Sequence, residues 1–158
     1  MILLEKAWAK LHKSYCNIIG GQAHLTLRDL TGAPSFEFKT SDEDAWDKIL
    51  DADMNGYIMA AGVSQEDEEQ AAMLKELGLV GQHSYGLIKV EVVSDAEGQS
   101  INIVKLRNPW GNFEWKGDWS DNSDKWTEEA KSQVNLEAAD DGTFWMAFED
   151  FKQYFSRI

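Results

Sequence analysis

The stretch GQHSYGLIKVEVVSDAEGQSINIVKLRNPWG, residues 81–111, decides the fold. Two runs rich in Val, Ile and Leu, residues 83–93 and 101–108, flank the polar segment SDAEGQS, whose length and Gly98 suit a hairpin loop. The two strands then run antiparallel, with Val90 expected to pair near Ile101, so the start of one lies beside the end of the other. His83 opens the first strand and Asn108 closes the second. The pairing therefore brings an imidazole and an amide to one edge of a sheet.

Outward from this hairpin the chain alternates periodicities. Leu3, Leu4, Ala7, Trp8, Leu11 and Tyr15 fall at helical spacing, which predicts a helix over 2–15 that stops near Gly20 and Gly21. GAPSFEFKT, residues 32–40, reads as a turn followed by a short strand. Ser41 and Asp42 can cap a helix over 42–52, with acidic residues in its first turn where the helix dipole favours them. YIMAAGV (57–63) reads as a buried strand and EDEEQAAMLKELG (66–78) as a further helix ending at Gly78. GTFWMAFEDFKQYF (142–155) reads as a strand passing into a short helix. Helices concentrated early and antiparallel strands late predict an α+β fold, a twisted and mainly antiparallel sheet with flanking helices.

Composition bounds the function. With 158 residues and 43% hydrophobic content, the chain suits a single domain over 1–158 with a real core. Its helical start without leader or cap suggests a fragment of a larger protein. A balance of 15 basic against 28 acidic residues gives a formal charge of −13. Such a surface repels nucleic acid and anionic lipid, so neither is expected as a partner. The lone Cys16 allows no intrachain disulfide and fits a reducing compartment. With no apolar run long enough to span a bilayer, a cytoplasmic location is expected.

Three constellations bear on chemistry. DADMNGYIMAAG, residues 51–62, begins like a calcium-binding helix-loop-helix, with Asp51, Asp53, Asn55 and Gly56. It fails at Gly62, where that loop needs a bidentate Glu, and it reads on into a strand rather than a helix. The second is His83 with Asn108. An amide oxygen accepting the proton of one ring nitrogen fixes the imidazole tautomer and leaves the other nitrogen to act on a nucleophile, the orienting half of a Cys-His-Asn arrangement. Trp110 stands where it can cover that contact. On spacing alone, a satisfied pair of turn residues explains His83 and Asn108 more often. The third is a set of acidic residues after Trp110 and before the final strand, which by itself reads as a solvated surface. Trp115, Trp119 and Trp126, set among polar residues, fit a carbohydrate-stacking or peptide-binding face.

The segments LLEKAWAKLHKSYCNIIGG, LTLRDLTGAPSFEF, GQHSYGL, LRNPWGNFEWKGDWSD and DDGTFWMAFEDFKQYFSRI, in this order, resemble the second half of the calpain protease core, over nearly the whole chain. The resemblance implies a papain-like cysteine endopeptidase in which His83 is the catalytic histidine, Asn108 orients it and Trp110 shields the contact. The family's glycine before this histidine is replaced by Gln82. The nucleophilic cysteine belongs to the first subdomain of calpains and has no counterpart here, since Cys16 matches no catalytic position. The expected partners are that first subdomain and protein substrates, and the isolated chain is expected to be inactive. The alternative is a calpain-like interaction or regulatory module without catalysis, which a replaced cysteine upstream would indicate. The resemblance also implies a calcium ion held by Glu114, Asp121, Asp141 and the carbonyl of Ala139, with Thr143 where calcium-regulated members carry an acid. No organic cofactor is implied.

Overall fold

A computed structural model describes residues 2–158, and these form two compact units, one reaching to Phe36 and the other comprising Glu37–Ile158. In the first unit, helix α1 spans Ile2–Leu11. It ends four residues before the expected limit because Lys13 adopts a positive φ of 76°, which no helix can continue through. A single 3-10 turn, Tyr15–Ile18, follows. Helix α2, Ala23–Thr31, was not anticipated. Its one clear signal is Gly32, whose left-handed backbone, φ 73°, lets its N–H bond the carbonyl of Arg28 and close the helix.

The second unit is built on a four-stranded antiparallel sheet: β1 Met59–Val63, β2 His83–Ser94, β3 Ser100–Arg107 and β4 Thr143–Ala147, in that spatial order. The hairpin forms as expected, but its register differs from the one predicted. Val90 pairs with Val104, and Ile101 with Val93. A bulge between Leu87 and Lys89 shifts the ladder by one more residue before Gly86 meets Arg107. The turn is tightened by Asp95, whose carboxylate accepts the N–H groups of Glu97 and Gln99.

The segment 32–40 does not form the expected strand. Pro34 has no N–H to give a ladder. Lys39 alone makes a bridge, to Arg157, while Phe38 and Ile158 exchange backbone hydrogen bonds of 3.1 and 3.0 Å. The strand expected over 57–63 is shorter, since Tyr57 and Ile58 are exposed. Helix α3 is Ala45–Met54. Ser41 and Asp42 lie in the turn before it, where the Asp42 carboxylate accepts the Lys39 N–H. The residues that resembled a calcium loop fall on α3 and its end, where Asn55 donates to the backbone and side chain of Asp51. Helix α4, Glu68–Glu76, is capped by Asp67, which accepts the Gln70 N–H. Helix α5, Glu128–Val134, was also unanticipated, and Thr127 caps it by accepting from Ala130. Helix α6, Phe148–Tyr154, follows β4 directly.

The sheet is buried on both faces, as a central strand reading INIVKL requires. On one face Tyr85, Leu87, Val90, Val104, Leu106, Phe144 and Met146 pack with Ile49 of α3, Leu74 of α4 and Phe148 and Phe151 of α6. On the other, Val93, Ile103 and Trp145 meet Trp119, Trp126, and Ala130 and Val134 of α5. Trp115, Trp119 and Trp126 are only 5, 4 and 6% exposed, so they pin the long loop rather than form a ligand-stacking face. Two of the indoles find a carbonyl partner: Trp115 Nε1 donates to Asp118 O and Trp126 Nε1 to Ser120 O.

Candidate active site

His83 enters from the first residue of β2, where it pairs with Val63 of β1. The turn before it is set by Tyr85, whose hydroxyl accepts the Val80 N–H at 2.8 Å from a fully buried ring. Burial pushes that phenol above its ordinary range. It therefore stays a hydroxyl at any physiological pH. The Tyr85 ring also meets the His83 ring edge-on at 5.0 Å. Asn108 follows β3. Continuing the register one step past Gly86 and Arg107 sets it opposite Tyr85, so His83 reaches it on the diagonal rather than directly across the ladder.

The contact joins His83 Nε2 to Asn108 Oδ1 at 3.0 Å. Which nitrogen carries a proton follows from the surroundings of the amide, which is completely buried. Asn108 Nδ2 donates to the carbonyls of Asn112 at 2.9 Å and Phe113 at 3.1 Å, and Oδ1 accepts the Trp110 N–H at 3.2 Å. Turning the amide over would set two acceptors against an oxygen and a donor against a donor. Oδ1 must therefore face the ring, His83 Nε2 must donate, and the lone pair remains on Nδ1. The loop that makes this possible is tight: Phe113 has a φ of +63° and Gly111 of +75°. Trp110 lies against the imidazole, with ring centroids 4.7 Å apart, yet is 60% exposed.

Gln82, standing where the resemblance leads one to expect glycine, adopts a positive φ of 50°. The glycine conformation is thus kept by a residue that must bear some strain for it. Cys16 is exposed and lies in the first unit.

The acidic residues occupy neighbouring segments. Glu114 Oε1 accepts the N–H groups of Asp141, at 2.9 Å, and Gly142, at 2.6 Å. Asp121 Oδ2 accepts from Ala139 N–H, whose own carbonyl accepts from Asp141. Asp141 Oδ1 accepts from Thr143 N–H, which with the Thr143 hydroxyl holds that carboxyl below its usual range. Burial pushes Asp121 up to about 6, against the Ala139 hydrogen bond, with Glu114 and Asp141 adding to the rise. Oxygen donors of this kind suit a hard cation. Among the described residues, however, no three carboxylate, imidazole or thiol groups are gathered as one metal-holding set. A cleft of about 770 Å³ lies alongside, lined by residues that include Glu114, Asp121 and Ala139. Of the residues expected from the sequence, His83, Asn108 and Trp110 are brought together. The Asn112 and Phe113 carbonyls that orient the amide carry no signal in residue type, and the Tyr85 hydroxyl was not singled out.

The whole chain, residues 1–158, matches the family described as calpain family cysteine protease. Among curated relatives it is 37% identical to Calpain-9 of Rattus norvegicus over 161 residues, which is 99% of this chain and 23% of that protein. It is 34% identical to the Calpain-1 catalytic subunit of Rattus norvegicus and 34% identical to Calpain-A of Drosophila melanogaster, covering 99% of this chain and 22% and 20% of those proteins. The chain thus spans less than a quarter of the length of these relatives. Among the described residues no helix is long and apolar enough to cross a membrane. With a whole-chain family match and relatives above one third identity, this chain belongs to the calpain family of cysteine proteases.

Proposed function

We propose that this chain is the His/Asn-bearing subdomain of a calpain-type cysteine endopeptidase whose nucleophilic cysteine is carried by a preceding subdomain. The observation that supports the reading best is the 3.0 Å contact from His83 Nε2 to an amide oxygen whose NH2 group is turned to two other carbonyls. With Nε2 as donor, Nδ1 is the free base. It takes the proton of the cysteine thiol, and the thiolate attacks the scissile carbonyl. The imidazolium then returns its proton to the leaving amine, and the acyl-enzyme is released by a water deprotonated at the same nitrogen. A neutral asparagine suits this cycle, since the thiolate and imidazolium already balance each other's charge. Trp110 covers one side of the ring and raises the local strength of the His–Asn bond. Protein substrates, action in the cytoplasm and inactivity of the isolated chain belong to the same reading.

Calcium is proposed as a ligand of the acidic corner on donor chemistry alone. Glu114, Asp121, Asp141 and the Ala139 carbonyl would hold it, each carboxylate having a second oxygen beside the one that accepts backbone N–H groups, and Thr143 would offer a hydroxyl where a carboxylate binds more strongly. No step of the hydrolysis is routed through the ion.

The test uses the intact parent protein with a denatured protein as substrate. Cleavage should be abolished by His83→Ala and reduced by Asn108→Ala, while the pure 158-residue chain should cleave nothing. Cleavage by the pure chain, or full activity of the His83→Ala parent, would overturn the reading.

A further inference from the structure

Asn108 is held from two directions, and both lead to Glu114. Its side-chain amide donates to the carbonyl of Phe113, which forms the peptide bond to Glu114. Its backbone N–H donates to the carbonyl of Gly142 at 2.7 Å, and the N–H of that same glycine donates to Glu114 Oε1. Gly142 has no room for a side chain. A Cβ built on it would lie 2.7 Å from Asn108 O, 2.9 Å from Gly111 Cα and 3.1 Å from Asn112 N, all backbone atoms. One half-buried carboxylate therefore fixes the entrance of β4 against the loop that carries the histidine's acceptor.

We infer that Glu114 is a positioning residue for the His83–Asn108 pair, acting as a hydrogen-bond acceptor for the Asp141 and Gly142 backbone rather than through its charge. The inference deepens the proposed protease reading and rests on it for its purpose, although the geometry stands within this chain. The role needs one oxygen at the end of a two-methylene side chain. Glutamine supplies that oxygen. Alanine supplies none, and aspartate keeps the charge but falls short by one methylene. A residue serving only as a cation ligand would rank these substitutions differently, because glutamine then loses the charge that matters while nothing changes when no cation is present.

The experiment is hydrogen exchange by NMR on the 158-residue chain in EDTA at pH 8. It follows the His83 Nε2 proton, the Asn108 side-chain amide protons and, as a remote reference in β3, the Ile103 amide. His83→Ala assigns the imidazole signal. Glu114→Ala and Glu114→Asp should speed exchange at His83 and Asn108 on the order of tenfold, the loss of about one hydrogen bond, with Ile103 unchanged. Glu114→Gln should keep wild-type protection. The Asp and Gln variants decide the matter alone if the Ala variant does not fold. Wild-type protection in Glu114→Asp, equal loss in Glu114→Gln, or equal acceleration at Ile103 would each overturn the inference. None of these readouts depends on peptide hydrolysis, so an inactive parent would defeat the protease reading and leave this result standing.

Discussion

Replacing Asn108 by aspartate changes one NH2 group to oxygen and nothing in volume, which makes it the sharpest probe of the site. In the wild-type chain that NH2 donates to two carbonyls, Asn112 O at 2.9 Å and Phe113 O at 3.1 Å, from a completely buried position. In Asn108→Asp both bonds disappear, a loss of roughly 1 kcal/mol each, and two carbonyl oxygens then face a carboxylate oxygen. The remaining Oδ1 still accepts from His83 and Trp110, which returns part of the loss. A net destabilisation of about 3 kcal/mol is expected at pH 7.5, or a fall in melting temperature of roughly 6–12 °C for a chain of this size.

The deficit has a pH signature. A protonated carboxyl regains one donor toward the carbonyls. That effect favours the variant as acid is added, so the gap to wild type should narrow between pH 7.5 and pH 5. Thermal melts followed by circular dichroism at the two pH values measure it. Equal melting temperatures at pH 7.5 would refute the argument that the amide's orientation is fixed by its donors, and with it the assignment of the proton to Nε2.

Two further substitutions test the surroundings. Gly142→Ala should destabilise by roughly 3 kcal/mol or more, because it combines a φ of +85° with backbone contacts that cannot yield; Gly98→Ala, at φ +79° but in open space, should lose only about 1 kcal/mol, and urea titration separates the two. Asp121→Asn should stabilise the chain in EDTA at pH 7.5: with the native carboxyl raised to about 6 from 3.8, the ionised form is disfavoured by the fold. That penalty is present above the folded value and fades as pH falls toward the unfolded one. For a partly exposed group it amounts to about 1 kcal/mol, so the variant's advantage should vanish near pH 4, and a variant no more stable than wild type at pH 7.5 would contradict the assignment.

What could be read from the residues depended on whether a signal was local. The hairpin was legible because β-branched runs and a polar loop with Gly98 are local facts. Its register was not, since it follows from the Asp95 hydrogen bonds that shape the loop and from a bulge at Leu87–Lys89, and neither leaves a mark in residue type. The His83–Asn108 meeting survived this error because it needs only that the two strand ends share an edge, and an imidazole reaches a diagonal neighbour as well as a facing one. Helix α5 was missed although Thr127 followed by Glu128 and Glu129 is a sound start signal, because Trp115, Trp119 and Trp126, set among polar residues just before it, made the segment read as loop. Those indoles proved to be the floor of the second core.

The acidic corner shows why the remainder was beyond reach. Glu114, Asp121 and Asp141 were found as carboxylates, and a carboxylate in sequence suggests a cation or water. They also accept from the backbone N–H groups of Ala139, Asp141, Gly142 and Thr143, which every residue but proline possesses and which no pattern of side chains can reveal. The one compositional trace is Gly142. Its positive φ and crowded Cα require glycine where β4 begins, because the chain there passes within van der Waals distance of Asn108 and its loop. An asparagine that must present its oxygen to a histidine is thus oriented less by other side chains than by the carbonyls of its own loop. Its backbone is held in turn by Gly142, whose own N–H reaches a glutamate nearly thirty residues away in sequence.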